Sequence, residues 1–159
     1  LWDSGDLASD RVDNHAYAGR PLAAATRAWW HVEITAPDGT RSRSEPARFA
    51  VTLLDEPDWR GAQWLGAAPM WIGRPVYFRA TFEAEPSALT EAWLFLAGLG
   101  CRHAWLNGRP LDDRLLEPPP TDTEKRVLFT THDVAGLLLP GLNRLVVLCG
   151  PGWTGLAQF

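Results

Sequence analysis

His103-Ala104-Trp105-Leu106, running into Asn107-Gly108, is the stretch on which the reading of the fold turns. Both residues of the Asn-Gly pair tolerate positive φ, which makes the pair the strongest short signal for a tight hairpin. Upstream, residues 92–99 form a nearly continuous apolar run. Before that, Val76, Phe78, Ala80 and Phe82 alternate with more polar neighbours, as a half-buried strand requires. Downstream, the loop Pro118-Pro119-Pro120-Thr121-Asp122 leads to a strand over 127–130, and a single helical turn is expected over 133–138, stopped by Pro140. A last strand spans 143–149 and meets Gly150-Pro151-Gly152-Trp153. With 13 Pro and 14 Gly spread along 159 residues, long helices are excluded and many short strands remain. The fold class is all-β, read as β-sandwich.

Further outward lies a second block. Trp29 to Thr35 places Trp30, Val32 and Ile34 on one face, then Pro37-Asp38-Gly39 turns the chain into a strand returning over 47–51. The polar, Pro-containing stretch Leu54-Asp55-Glu56-Pro57-Asp58 separates the blocks. The layout is therefore a first β-domain over 1–55, a linker over 56–61 and a second β-domain over 62–159. About 55 residues with four or so strands would be marginal as an independent sandwich.

Composition limits the function. The net charge is only −4, from 15 basic and 19 acidic residues that are scattered rather than blocked, which argues against nucleic-acid binding. No apolar run approaches the roughly 20 residues of a membrane helix, so the expectation is a soluble protein with no membrane partner. The opening Leu1-Trp2-Asp3 lacks an initiator Met and reads as a cut inside a longer protein. Compartment is not legible, with the cytoplasm favoured over secretion. Cys101 and Cys149 sit in apolar strand-like context and read as two buried thiols. Nine Trp beside a single Met suit a large β core, and also the apolar faces of sugar rings.

No catalytic constellation emerges. Inverting glycosidases oppose two carboxyl groups about 6.5 to 9.5 Å apart across a sugar. Asp112-Asp113 cannot do so by adjacency, since extended neighbours point to opposite faces, and they read as a solvated turn. Glu117 and Asp122, flanking the proline run, read as surface acids, and Asp133 reads as a cap or Asx turn. His15, His31, His103 and His132 fall in separate segments with no ligand spacing and no carboxylate arranged around them, so neither a metal nor any other cofactor is expected. Trp105 beside Asn107, or Trp153 in its Gly-rich loop, supplies the ring and amide that a sugar site needs, although core packing explains them as well. Trp71, in a turn-rich segment, is the expected exposed ring. With Asp122 these make the candidate carbohydrate-binding set: Trp71, Trp105, Asn107, Asp122 and Trp153.

Taken together, Trp105-Leu106-Asn107-Gly108, Asp133-Val134, Leu137-Leu138, Pro140-Gly141, Asn143 and Leu145 resemble the galactose-binding-type jelly roll found beside glycosidase catalytic domains. Gly98-Leu99-Gly100, Thr121-Asp122, the run from Lys125 to Phe129, and Gly150-x-Gly152-Trp153 narrow the resemblance to the N-terminal sandwich of bacterial α-L-rhamnosidases. Upstream, Trp2-Asp3-Ser4-Gly5, Tyr17-Ala18-Gly19, Pro21-Leu22, Thr26-Arg27, Trp30-His31-Val32, Asp38-Gly39 and Ser44-Glu45-Pro46-Ala47-x-Phe49 resemble the fibronectin type III-like domain preceding it in that family. The resemblance implies a partial fibronectin type III-like β-sandwich followed by a truncated galactose-binding-like jelly roll. The parent enzyme would hydrolyse terminal α-L-rhamnose with acids on a catalytic (α/α)₆ barrel of the same chain, absent from these residues. The chain itself would then be inactive and would support that barrel, with a rhamnose-containing carbohydrate as its other partner. An autonomous carbohydrate-binding module and a ligand-free spacer are the alternatives. Two departures stand out. Ala28 occupies the family's tyrosine-corner position, so that corner's hydrogen bond should be absent, and Pro118-Pro119-Pro120-Thr121-Asp122-Thr123 lacks both rings of the family's Pro-Gly-Trp-Thr-Asp-Tyr.

Overall fold

A computed structural model describes residues 2–66 and 74–150. The chain divides into two compact units, Leu1–Ala62 and Gln63–Phe159. Among the described residues, regular structure is antiparallel β apart from three single 3₁₀ turns at Glu56–Trp59, Pro86–Ala88 and Ala135–Leu137.

In the first unit, β1 (Arg27–Trp30) pairs with β4 (Ala47–Ala50), while β2 (Glu33–Thr35) pairs with β3 (Arg41–Arg43). The expected hairpin is present, but its ladder is broken midway and its returning arm contains β3, which the sequence reading left out. Pro46 has no N–H to donate at the break. There Ser44 acts twice, its N–H donating to the Val32 carbonyl at 2.9 Å and its Oγ accepting from the Val32 N–H at 3.0 Å. At the tip, Gly39 takes φ 84°, and the Ala36 and Thr40 backbones close the turn at 2.8 Å. None of the described residues of this unit is buried, and Trp29, Trp30 and Ile34 are exposed. Two-stranded ribbons are only marginally stable alone. Where a linker was expected, the Leu54 and Asp55 N–H groups donate to the Asp58 carboxylate at 2.8 and 3.1 Å, which holds that carboxyl below its ordinary pKa.

The second unit is a sandwich of unequal layers. One sheet has the order β5 (Val76–Ala84), β10 (Gly141–Cys149), β7 (Arg102–Leu106), β8 (Arg109–Pro110); the other pairs β6 (Trp93–Ala97) with β9 (Phe129–Asp133). Asn107 and Gly108 turn β7 into β8 with φ of 53° and 78°, the mirror-type turn that the Asn-Gly pair favours. Residues opposite each other in antiparallel register share a face. The matches Leu106↔Leu145, Ala104↔Val147 and Arg102↔Cys149 therefore fix the inner row. On the facing layer, Leu94↔His132 and Leu96↔Thr130 do the same. β9 starts two residues later than the sequence suggests, and the helical turn is a 3₁₀ turn.

Among the described residues the interior is as polar as it is apolar. Alongside Ala104, Leu106 and Val134, the buried residues are Arg102, Thr130, His132 and Asn143. Asn143 is 0% exposed and every hydrogen-bonding position on its amide is filled. Its Oδ1 accepts from the Leu139 N–H and from Asn107 Nδ2, and its Nδ2 donates to the Leu139 and Gly141 carbonyls, all at 2.8 Å.

Replacing Asn143 by Ala would strand two backbone carbonyls, one backbone N–H and the Asn107 amide. The expected loss is about 3 kcal/mol in urea unfolding. The exposed neighbour change Leu142→Ala should cost under about 1 kcal/mol. Equal losses would contradict this account of Asn143.

Candidate functional site

The described residues cluster their polar chemistry where β7, β9 and the segment after β8 meet. Arg102, 7% exposed, points inward from β7. Its Nη2 donates to the Leu96 carbonyl and to Thr130 Oγ1, each at 2.7 Å, and so joins the two layers. A guanidinium only donates. The Thr130 hydroxyl proton is therefore free to bond His132 Nε2, 2.8 Å away. That bond assigns the ring's proton to Nδ1, which faces Asp112 Oδ2 at 3.5 Å. Asp112 in turn meets Arg114 at 3.1 Å, and the other arm of Arg114 reaches Glu117 at 3.6 Å. The circuit closes through the backbone, where the Arg102 N–H donates to the Glu117 carbonyl at 2.7 Å.

The cluster corrects two sequence expectations. His132 does have a carboxylate beside it, contributed from twenty positions upstream, and Asp112 is a partly buried member of a network rather than a solvated turn residue. Burial lowers the His132 pKa, and Asp112 only partly opposes that effect. The Arg102 pKa is also lowered, first by burial, with Cys149, Glu117 and Asp112 pulling the other way. On β10 across from Arg102, burial pushes the Cys149 thiol up, which makes it a poor nucleophile.

Thr130, His132 and Asp112 stand in the order of a hydroxyl nucleophile, a base and an orienting acid. Nucleophilic chemistry does not follow, because Thr130 and His132 are buried and the hydroxyl oxygen already accepts from Arg102. Nor do Asp112 and Glu117 form a glycosidase pair. Both carboxylates contact one guanidinium, which fills the space that a sugar and a water would need. A shallow cleft between residues 98–101 and 118–121 has an open volume of about 30 Å³, room for one or two waters. That is far below the roughly 300 Å³ at which small-molecule pockets begin. No group of three or more His, Cys, Asp or Glu able to hold a metal occurs among the described residues, and no helix among them is long and apolar enough to cross a membrane.

The candidate sugar residues are dispersed. Trp105 lies half-buried on the outer face of the four-stranded sheet, its ring 5.4 Å from that of His103. By register, Trp105 follows Val146 and Arg79 across that face, and His103 follows Leu148 and Tyr77. Tyr77 is 67% exposed. Asn107 uses its amide on the fold, donating to the Leu137 carbonyl and Asn143 and accepting from the Arg144 N–H at 2.9 Å. Asp122 heads a turn, pairs with Lys125 at 2.8 Å and is exposed. Trp71 and Trp153 lie outside the described residues.

Comparison with known proteins matches two stretches of the chain to two family models. Residues 1–55 match the model of the Rha78A-like N-terminal immunoglobulin domain, and residues 87–158 match that of the alpha-L-rhamnosidase N-terminal domain. An alpha-L-rhamnosidase of Formosa agariphila is 28% identical over 98% of this chain, which covers 19% of that protein. The solved alpha-L-rhamnosidase of Dictyoglumus thermophilum superposes with a TM-score of 0.84 at 27% identity, over 96% of this chain and 19% of its own. That of Aspergillus terreus gives 0.72 at 26%, over 85% and 16%. These matches define a class first: β-sandwich domains of a glycoside hydrolase. Within that class, the chain belongs to the N-terminal region of the α-L-rhamnosidases. It spans about a fifth of the length of the relatives it matches.

Thr130→Val keeps the side-chain volume but leaves Arg102 Nη2 and His132 Nε2 each short of a partner. A destabilisation of about 2 kcal/mol is expected by thermal or urea unfolding. A change under about 0.5 kcal/mol would show that the hydroxyl does not join the layers.

Proposed function

We propose that this chain is a non-catalytic accessory region of an α-L-rhamnosidase, whose task is to support the catalytic (α/α)₆ barrel of the same polypeptide. The observation that carries the reading is the fate of the acids. Asp112 and Glu117, two carboxylates of the described residues that flank one guanidinium, are both spent on Arg114. Removal of terminal α-L-rhamnose would then belong to acids on the barrel. In this reading residues 1–55 are a fibronectin type III-like sandwich and residues 62–159 a galactose-binding-like jelly roll. The curated relative from Formosa agariphila favours a bacterial source. The exposed rings of Trp29 and Trp30 are apolar surface of the kind that a larger assembly covers.

A second reading is favoured by one observation. Tyr77, His103 and Trp105 share an outer sheet face with Arg79, and rings beside a hydrogen-bonding cation are what a carbohydrate-binding surface offers. Asp122, Trp71 and Trp153 remain candidates of that reading, whereas Asn107 could join only by giving up bonds that hold the hairpin.

Incubated with a nitrophenyl α-L-rhamnoside, the purified 159-residue chain should release no nitrophenol above the buffer blank. Titration with L-rhamnose, followed by tryptophan fluorescence, should show no saturation. Release of nitrophenol sinks the accessory reading. Saturable binding that Trp105→Ala abolishes, without release, replaces it with the carbohydrate-binding one.

A further inference from the structure

The polar circuit around Arg102 holds more than the sheet interface. It clamps the segment 112–117 at both ends, through His132 to Asp112 and through the Arg102 backbone to Glu117. Between the clamps the chain presents Leu115 and Leu116, each 75% exposed, with Leu116 at a φ of 60°. A non-glycine residue in the left-handed region is strained, and it persists only where its surroundings hold it. Here the surroundings are the ion pairs of Arg114 with Asp112 and Glu117.

The circuit works in one protonation state of one ring. Thr130 Oγ1 accepts from Arg102, so its proton must go to His132 Nε2, and that nitrogen must be bare. A proton added at Nε2 sets two donors against each other across 2.8 Å. The hydroxyl must then turn away, with no described acceptor to receive it. The same proton places a cation near Arg102, itself buried and already carrying one Nη1 atom with no hydrogen-bond partner. The charged groups acting on His132 are Arg102 from β7 and Asp112, Arg114 and Glu117 from the clamped segment, while β6, its strand partner, contributes none. The two cations oppose proton uptake, and the two carboxylates, both engaged by Arg114, favour it. On the Asp112 side the imidazolium gains an ion pair, but that carboxylate lies toward solvent, away from Thr130.

We infer that His132 is an acid-operated latch: protonation of Nε2 removes the acceptor that the Thr130 hydroxyl uses, the imidazolium is drawn outward toward Asp112, and the Asp112 end of the 112–117 segment shifts with it while the Arg102–Glu117 backbone bond holds the other end. The latch couples acidity to the position of an apolar loop tip. It goes beyond the accessory reading and stands whether or not the chain binds a sugar.

The lowered His132 pKa is consistent in sign. Stability from the neutral ring is fully present above pH 6.5, the ordinary histidine value, and is lost as pH falls below it through the folded-state pKa. The test is nuclear magnetic resonance of the 159-residue chain, following the ring nitrogens of His132 and the backbone amides of 113–117 from pH 8 downward. Three results are expected. At neutral pH the ring carries its proton on Nδ1. Its midpoint lies below that of a free histidine. The amides of 113–117 move with the same midpoint while those of β10 stay fixed. Asp112→Asn removes the favouring carboxylate and should carry both midpoints to lower pH together, and His132→Gln should abolish the loop transition. The latch is overturned if the loop amides titrate unchanged in His132→Gln, if β10 melts at the same midpoint, or if His132 titrates at or above the free value. Should His132→Gln fail to fold, Asp112→Asn decides alone, because an unmoved loop midpoint there also overturns the latch.

Discussion

The architecture of the second unit hangs on an amide pair in its interior. Asn107 is at the tip of one hairpin and Asn143 is at the start of the strand that runs down the middle of the sheet, thirty-six residues later. Their side chains meet at 2.8 Å, and between them they satisfy the backbone of the 3₁₀ turn, the bend at Gly141 and the first residues of β10. A polyamide junction of this kind is worth little more than water when complete, but each group left unpaired costs about 1–3 kcal/mol. That asymmetry makes the junction a device of register. A slip of β10 by one residue would leave several amide groups buried and unmatched, in addition to turning every apolar side chain to the wrong face.

A second constraint comes from placing a cation between the layers. Arg102 bonds a carbonyl of β6 and a hydroxyl of β9 with one nitrogen, where an aliphatic side chain would offer only contact. Burying charge is costly, and the fall in the Arg102 pKa records that cost. In exchange the layers acquire directional bonds that determine which residues face each other. The donor and acceptor requirements then propagate outward through Thr130 and His132 to Asp112, so a loop that begins ten residues after Arg102 is tied to it through a ring on another strand.

The two units differ in how far they complete their own cores. The second has a buried interior, whereas the first consists of two-stranded ribbons with tryptophans facing solvent. Among its described residues the first unit therefore leaves much of its apolar surface uncovered.

The all-β class, the Asn107-Gly108 hairpin, the strand alternation over 76–82 and the Asx turn at Asp133 were legible in the residues, because each depends on neighbours within a few positions. The row of rings on the outer face was only half legible: Trp105 could be named, but its neighbours His103 and Tyr77 share that face through strand order, which no local pattern encodes. The circuit of Arg102, Thr130, His132, Asp112, Arg114 and Glu117 could not be read at all. Its members are drawn from separate segments, and in sequence each looks like an ordinary strand or loop residue. Periodicity and turn chemistry are properties of adjacent residues and therefore survive in the chain as text. The pairing of a buried donor with its acceptor depends on which strands lie side by side, and only the folded structure decides that.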